Sequence, residues 1–228
     1  MDHRYFTAGT FRFLRDLAAH NDRDWFGAHQ EAYERLVREP ALRFIADVAA
    51  PLHGISPYLS VVARKVGGSL FRIQRDTRFA RDKTPYKTHT GMHFRHGDGG
   101  DSRAPGFYLR LEPGNCFVAA GVWHPAGPAA RAIRRAIAHR PDEWMEIAHG
   151  SEFAAAYQMD GDRLARPPSG FDPIHPLIDE LRRRDFAGSK RLTQRLVTSE
   201  DFLEGFVDDC RRATPLMRFV CAALDLDY

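Results

Sequence analysis

The stretch FYLRLEPGNCFVAAGVW, residues 107–123, indicates a β-hairpin. Two runs rich in apolar and aromatic residues flank Pro113-Gly114, a dipeptide suited to a tight turn. This is the clearest local pattern in the chain, and it predicts that the fold is built around an antiparallel sheet.

Two segments before the hairpin are predicted to add strands to this sheet. In SLFRIQ, residues 69–74, Phe71 and Ile73 alternate with polar residues, as expected for a strand with one buried face. The segment KTHTGMHFRH, residues 87–96, is the second candidate. We therefore predict a small antiparallel sheet at about residues 69–123.

Helices are predicted on either side of the sheet along the chain, at about residues 7–54 and at about residues 126–225. Three residues are predicted to cap helices at their N-termini: Thr7, Asp24 and Ser199. The resulting prediction is an α+β fold, in which a small antiparallel sheet with a β-hairpin is flanked by helices from both ends of the chain. Since no repeat or linker divides the sequence, residues 1–228 are predicted to form a single domain.

The composition narrows the class of protein. With 43% hydrophobic and 28% charged residues, the 228-residue chain can bury a full core. It has neither the apolar run of a signal peptide nor the ~18 uninterrupted apolar residues of a membrane helix, so no membrane association is expected and a cytoplasmic location is predicted. The three cysteines are odd in number and form no C-x-x-C pair, which favours buried thiols in a reducing compartment.

A short segment, RIQRDTRFARDKTPYK at residues 72–87, concentrates positive charge. Six Lys or Arg and two Asp between residues 72 and 89 give +4, whereas the whole chain carries only +3, so the remainder sums to −1. A solvated helix face would need a matching apolar stripe, but this segment has few apolar residues, and Thr84-Pro85 disfavours a helix. We predict a strand that runs into an ordered loop.

An ordered loop would bring these like charges together, and a bound anion would offset their repulsion. The planar guanidinium of arginine suits the paired oxygens of phosphate or carboxylate, so an anionic small-molecule ligand is predicted, with two aspartates orienting the cations. The predicted ligand-binding residues are Arg72, Arg75, Asp76, Arg78, Asp82, Lys83, Tyr86, Lys87 and His89.

A different role for the same segment is an internal ion-pair network that joins the sheet to its helices. The protein would then be a non-catalytic interaction or scaffold module. If it is an enzyme, His89 or Asp76 would lie near the chemistry. The sequence leaves this choice open, together with the reaction, the catalytic residues and the oligomeric state, and it predicts no cofactor.

The segment also carries a resemblance. RIQRDTRFARDKTPY is similar to the pattern R-x-x-R-D-x-R-F-x-x-D/N-K-x-x-Y of a widespread bacterial family, domain of unknown function 2461. NDRDWF, PGFYLRLEPG, GVWHP and PPSGFDPIHP resemble segments of that family in the same order. The resemblance covers nearly the whole chain and implies a single-domain α+β protein without an assigned activity. The matching positions in the pattern are Arg72, Arg75, Asp76, Arg78, Phe79, Asp82, Lys83 and Tyr86.

Other features carry weaker predictions. No metal site is predicted at His89, His93 and His96, because on a strand His96 would point away from the other two. The basic stretch at residues 182–195 is interpreted as a helix end, where cations favour the helix dipole; it could instead rim the same pocket. Nucleic-acid binding is disfavoured, because the usual basic and aromatic platform is missing. Trp123 and His124 are predicted to form a pocket wall at a strand end.

Overall fold

The computed structural model describes residues 4–99 and 104–228. Its strands are β1 (Leu59–Ser60), β2 (Thr90–His96), β3 (Gly106–Leu111), β4 (Cys116–Val122), β5 (Gln158–Met159) and β6 (Phe186–Leu192). In the described part of the chain they form one six-stranded sheet in the order β1-β2-β3-β4-β6-β5, and every neighbouring pair is antiparallel. The predicted α+β class is confirmed.

The predicted hairpin is confirmed and occupies the middle of this sheet. β3 and β4 pair from Gly106 opposite Gly121 to Arg110 opposite Phe117. Gly114 adopts φ +78° in the connecting turn, a left-handed conformation that glycine adopts without the steric cost of a side chain.

The sheet extends beyond its predicted bounds. β6 lies within residues 182–195, so the interpretation of that stretch as a helix end is wrong. Gly188 and the polar residues after it hide the alternation of a strand, and β6 is held instead by its ladder with β4. Residues 69–74 form no regular strand; two isolated bridges pair Leu70 with Met92 of β2 and Gln74 with Tyr86, which precedes β2.

The helices occupy both ends of the chain, as predicted. Before β2 they are α1 (Ala8–Ala19), α2 (Arg23–Ala28), α3 (Gln30–Tyr33) and α4 (Glu39–His53), with a π-helical turn, Glu34–Arg38, joining α3 to α4. After β4 they are α5 (Gly127–His139), α6 (Pro141–His149), α7 (Ser151–Ala154), α8 (Ile178–Leu181), α9 (Gln194–Val197), α10 (Phe202–Arg212) and α11 (Thr214–Ala223).

One of the three predicted N-caps is confirmed. The Thr7 side chain accepts a hydrogen bond in the first turn of α1. α2 is capped by Asp22 rather than Asp24, since Asp22 Oδ1 accepts a 2.8 Å bond from the backbone N–H of Trp25. Ser199 does not cap α10, because its hydroxyl donates to the Leu196 carbonyl at 2.8 Å, at the end of the preceding helix.

The two faces of the sheet differ in character because side chains alternate along each strand. One face carries fully buried residues such as Phe94, Leu109 and Val118 and packs on α10 and α11 within the main hydrophobic cluster. The opposite face carries residues such as His93 and Tyr108, which pair across β2 and β3. We call this second face the outer face.

A separate hydrophobic cluster joins the N-terminal helices to the basic segment. Ile73 of the basic segment belongs to this cluster and is only 2% exposed. The other buried members come from the N-terminal helical region: Phe13, Leu14, Leu17, Phe26, Tyr33 and Val37. Ile73 therefore anchors the start of the basic segment on α1 to α3. Among the described residues, no helix is long and apolar enough to cross a membrane.

Candidate functional site

The basic segment folds into an irregular hairpin at the edge of the sheet, and we call residues 72–87 the basic hairpin. Its two sides run antiparallel: the Lys87 N–H donates to the Ile73 carbonyl at 2.8 Å, and the Arg75 N–H donates to the Pro85 carbonyl at 2.9 Å. Towards the sheet the pairing continues with the Phe71 N–H and the Gly91 carbonyl, at 2.9 Å. The register shifts between these pairs, so residues 88–90 bulge out of the ladder.

At the tip of the basic hairpin, cations and carboxylates pair with each other. Arg75 Nη1 lies 2.5 Å from Asp82 Oδ2 and also donates to the hydroxyl and carbonyl oxygens of Thr84. Arg78 binds Asp76 through two bonds, Nε to Oδ1 at 3.0 Å and Nη2 to Oδ2 at 2.7 Å. These contacts lower the pKa of Asp76 to about 2, chiefly through the side-chain and backbone bonds from Arg78.

The same pattern holds elsewhere along the tip. Bonds from the backbone of Thr84, then from the side chains of Arg75 and Thr84, lower the pKa of Asp82 to about 2. Lys83 Nζ donates to the Thr77 carbonyl at 2.8 Å. Three of the predicted anion-contacting cations, Arg75, Arg78 and Lys83, therefore have acceptors within the protein.

Tyr86 anchors the basic hairpin to the N-terminal helices. Its ring stacks on Phe26, with centroids 4.1 Å apart. Its main chain is bound by the Asn21 side chain in both directions: Asn21 Nδ2 donates to the Tyr86 carbonyl at 2.9 Å, and the Tyr86 N–H donates to Asn21 Oδ1 at 3.0 Å. The ring and the main chain of Tyr86 therefore make structural contacts with the N-terminal helices.

The base of the basic hairpin is less neutralised than its tip. Lys87 Nζ donates to the Arg72 carbonyl at 2.7 Å and lies 5.5 Å from the centroid of the Phe71 ring. Burial, followed by the nearby Arg72, lowers the pKa of Lys87. Arg72 is exposed, and its guanidinium has no hydrogen-bonded partner in the described part of the chain.

His89 lies in the bulge beside this base. Burial, followed by the charges of Arg110 and Lys87, lowers its pKa to about 4, although Glu112 acts in the opposite direction. Arg110 is bound to Glu112, with Nη2 to Oε2 at 2.8 Å. His89 is therefore neutral near pH 7 in a region of positive potential.

A cavity of about 620 Å³ opens on the outer face of the sheet, and we call it the sheet-face cavity. Small residues of the central strands form its floor, because Gly106, Ala119, Gly121 and Ala187 fall on this face in adjacent register positions. Gly121 is required there: it adopts φ +118°, and a Cβ atom would collide with the Phe186 carbonyl. The remaining lining residues are Phe71, His93, Ala104, Tyr108, Arg110, Phe117, Ala120, Trp123, His124 and Asp160.

Aromatic side chains form the walls of the sheet-face cavity. Phe71 is 37% exposed and Trp123 is 52% exposed, and the Phe71 ring lies 5.9 Å from that of Tyr108. His93, on the same face, has its pKa lowered to about 4 by burial and then by Arg95. The prediction that Trp123 and His124 line a pocket at a strand end is confirmed.

His124 forms a pair with Asp185 that the sequence did not reveal. Since β4 and β6 are antiparallel, with Val122 opposite Phe186, the residues that follow β4 meet the residue that precedes β6. Asp185 Oδ1 accepts the His124 backbone N–H at 2.7 Å and lies 2.8 Å from His124 Nδ1. The Asp185 side chain is fully buried, whereas that of His124 is 63% exposed.

The backbone around this pair is unusual. His124 adopts φ +48°, which is uncommon for a residue other than glycine. Gly161 adopts φ +94° and lies so close to Asp185 that a Cβ atom would be 2.6 Å from Oδ2. Asp185 Oδ2 is buried and has no hydrogen-bond partner in the described structure. Such strained positions often occur at functional sites.

Of the other histidine candidates, His93 lines this cavity and His96 does not. His93 and His96 are on opposite faces of β2, as predicted, and His96 Nε2 is bonded to the Asp227 carbonyl at 2.7 Å. Within residues 4–99 and 104–228, no group of three or more His, Cys, Asp or Glu could hold a metal ion. In the second basic stretch, Arg183 is buried against Glu180, with Nε to Oε2 at 2.6 Å.

The protein is thus an α+β protein in which one sheet face is packed by helices and the other bears a cavity flanked by a basic hairpin. A comparison with protein families matches residues 9–219 to the family described as conserved hypothetical protein (DUF2461), and the chain belongs to that family. Comparisons with the curated proteins and with the solved structures gave no match.

Proposed function

We propose that this protein binds a small molecule bearing a phosphate or carboxylate group in the sheet-face cavity. The anionic group would lie at the end formed by Arg110 and the base of the basic hairpin. One observation carries the proposal: a cavity large enough for a small metabolite, with apolar and aromatic walls, is lined by Arg110 and has Lys87 Nζ 5.5 Å from the Phe71 ring of its wall.

The charged side chains near the Arg110 end of the sheet-face cavity favour the binding of an anion. Arg110 and Lys87 lie close enough to His89 to lower its pKa, and Arg72 acts in the same way on Lys87. The nearby carboxylate of Glu112 already binds Arg110, Asn115 and Thr88. The pKa values of Lys87 and His89 are lowered partly by these like charges. A bound anion would remove this repulsion, and its oxygens would accept charge-assisted hydrogen bonds.

The tip of the basic hairpin is a poorer anion site. Three of its cations, Arg75, Arg78 and Lys83, are bound by Asp82, Asp76 and the Thr77 carbonyl. The open cavity beside it is lined by two cations, Lys83 and Arg23, and by two carboxylates, Asp22 and Asp24, so it offers an anion no surplus of positive charge. We therefore restrict the proposed contacts from the sequence-predicted set to Arg72, Lys87 and His89, and add Arg110.

The walls of the cavity favour a planar ligand body. Phe71, Tyr108 and Trp123 offer ring faces and edges around a floor of glycine and alanine. Aromatic side chains bind planar groups through stacked or edge-to-face contacts. The ligand class that fits is an aromatic or other planar molecule with one acidic group.

The proposal is tested by titrating the purified protein with 4-hydroxybenzoate and, separately, with inorganic phosphate, using calorimetry and NMR. We expect saturable binding that weakens as salt rises. Arg72→Ala and Lys87→Met should each weaken binding by about ten- to a hundredfold, since a hydrogen bond to a charged group contributes about 1.5–3 kcal/mol.

The matched control is Arg135→Ala, which removes an exposed arginine of α5 and should leave the dissociation constant unchanged. Phosphate tests the anion site alone, whereas 4-hydroxybenzoate also tests the aromatic walls. Absence of saturable binding for both, or equal losses in the control, would refute the proposal.

A second candidate function is a non-catalytic interaction module built on the internal ion pairs of the basic hairpin. The observation that favours it is Phe79, which is 96% exposed at the tip between Arg78 and Arg81. An exposed phenylalanine on a rigid, internally paired loop is suited to contact another protein. This candidate gains support if neither probe binds.

A further inference from the structure

The His124–Asp185 pair has the geometry of a proton-transfer site. Asp185 Oδ1 lies 2.8 Å from Nδ1 of the His124 ring, and the same oxygen accepts the His124 backbone N–H at 2.7 Å. Both the ring and its main chain are therefore held by one fully buried carboxylate. Because Asp185 contacts both the backbone N–H and the ring Nδ1 of His124, the orientation of the ring is fixed before a ligand binds.

The 2.8 Å approach of Asp185 Oδ1 to Nδ1 also assigns the roles of the two ring nitrogens. A carboxylate accepts a hydrogen bond, so the neutral imidazole carries its proton on Nδ1 and leaves a lone pair on Nε2. His124 lines the sheet-face cavity together with Trp123 and Arg110. A base is thus available to a ligand whose acidic group lies at the Arg110 end.

We propose that His124 is a catalytic general base of the sheet-face cavity and that Asp185 is its positioning residue. The inference rests on the proposed function, because the ligand is held there by its anionic group. The substrate class is a carboxylic ester that carries a phosphate or carboxylate on a planar body. The protein is then a hydrolase of small acidic esters.

The reaction consumes one water molecule and one ester. Nε2 of His124 takes a proton from water while the water oxygen forms a bond to the ester carbonyl carbon. The bond from that carbon to the alcohol oxygen then breaks, its electron pair leaves with the oxygen, and the imidazolium returns the proton to it. The products are one carboxylic acid and one alcohol, and Asp185 stays ionised to stabilise the imidazolium.

The surroundings suit this role. The left-handed backbone of His124, at φ +48°, presents the ring beside the exposed Trp123. Asp185 Oδ2 is buried without a partner, next to Gly161. Among the described residues, the Asp185 carboxylate accepts a hydrogen bond from the His124 backbone N–H and lies within ion-pair distance of the His124 ring.

The experiment measures hydrolysis of 4-acetoxybenzoate by the purified full chain, as release of 4-hydroxybenzoate. We expect turnover above the buffer rate, slower in D2O because a proton moves in the rate-limiting step. His124→Asn should lower kcat by about a hundredfold or more, the usual range for general base catalysis, with KM little changed. Asparagine is chosen because it tolerates the left-handed backbone.

Asp185→Asn tests the positioning residue, since it keeps the shape of the side chain and removes its charge. It should lower kcat without raising KM, and binding of 4-hydroxybenzoate should persist. A merely structural role for Asp185 would instead lower the thermal midpoint and weaken binding. His139→Asn, at an exposed histidine of α5, is the control and should keep the wild-type rate.

The outcomes separate this inference from the proposed function. If wild type binds 4-hydroxybenzoate but does not hydrolyse 4-acetoxybenzoate, or if His124→Asn hydrolyses it at the wild-type rate, the catalytic role is overturned and the binding proposal stands. If neither compound binds, both fail. An Asp185→Asn rate equal to wild type would remove Asp185 from the mechanism.

Discussion

Replacing Asn21 by alanine should detach the basic hairpin from the N-terminal helices. Tyr86 lies opposite Gln74 in the hairpin ladder, and the bonds on either side of this pair come from Arg75 and Lys87. The N–H and C=O of Tyr86 therefore point away from the ladder, and the Asn21 amide binds both, at 3.0 and 2.9 Å. The Asn21 side chain thus makes the two backbone hydrogen bonds that a neighbouring strand would otherwise make.

The magnitude follows from these two bonds. Each hydrogen bond of this kind contributes a net of about 1 kcal/mol, and a half-buried backbone group left without a partner costs more. Asn21→Ala should therefore lower the free energy of unfolding by about 2 kcal/mol. For a domain of this size, 1 kcal/mol shifts the thermal midpoint by about 2–4 °C, which gives a decrease of about 4–8 °C.

The assay is thermal and urea denaturation, combined with hydrogen exchange at the Tyr86 amide. Asn21→Asp keeps the acceptor for the Tyr86 N–H but places a second oxygen against the Tyr86 carbonyl, so it should destabilise at least as much as alanine. Asn115→Ala, which removes one exposed side-chain bond to Glu112, should cost less than about 1 kcal/mol. A loss below about 0.5 kcal/mol for Asn21→Ala, with the amide still protected, would refute the argument.

Three further predictions concern charge and backbone. Saturating phosphate should raise the pKa of His89 from its value of about 4, because an anion offsets Arg110 and Lys87; an unchanged NMR titration would contradict an anion at this end. Since the pKa of Asp76 and of Asp82 is lowered from 3.8 to about 2 in the folded state, their stabilisation of the hairpin is present above pH 4 and is lost as the pH falls to about 2. Hairpin amides should then exchange faster by NMR, and protection unchanged at pH 2 would oppose this. Gly121→Ala should destabilise by about 3 kcal/mol or more through strain and collision. Gly114→Ala, where a Cβ atom would meet nothing within 4 Å, should cost about 1 kcal/mol; similar thermal midpoints for the two variants would be inconsistent with the collision at Gly121.

Local sequence signals predicted the elements that are stabilised by interactions between residues close in sequence. The alternation around Pro113-Gly114 and the cap at Thr7 need no distant partner, and both are confirmed. β6 differs because its sequence, FAGSKRL, lacks alternation and is held by β4 on one side and β5 on the other. A strand of that kind depends on the tertiary ladder, so a single-sequence pattern did not indicate it.

The candidate site also contains residues that local sequence signals predicted and a residue that depends on long-range strand pairing. Trp123 and His124 were predicted as a pocket wall because they follow a recognisable strand. Asp185 was missed because its proximity to His124 depends on the pairing of β4 with β6 across 61 positions of sequence. The only available signal was an aspartate following three arginines, which suggested an ordinary charge balance.

The basic hairpin shows how one charged motif can serve two purposes. Arg75 and Asp82 are seven residues apart and meet because the chain reverses between them, so two of the tip arginines, Arg75 and Arg78, are paired with carboxylates within the tip. The base, in contrast, is placed against the cavity by Ile73, which is buried among the N-terminal helices, and by the pairing of Phe71 with Gly91.

Arg75, Arg78 and Asp82 of the family pattern are bound within the tip, so we expect their effect on a ligand to be indirect, whereas Arg72 is a proposed direct contact. Loosening the tip, for example by Asp82→Asn, should leave the Lys87 and Arg110 charges in place but allow Phe71 and Lys87 to move relative to the cavity. Ligand affinity should then fall while the chemistry at His124 keeps its rate once the ligand is bound. Residues outside the pattern, at the ends of β4 and β6, would set that rate, because the Val122–Phe186 pairing that joins them does not involve the basic hairpin.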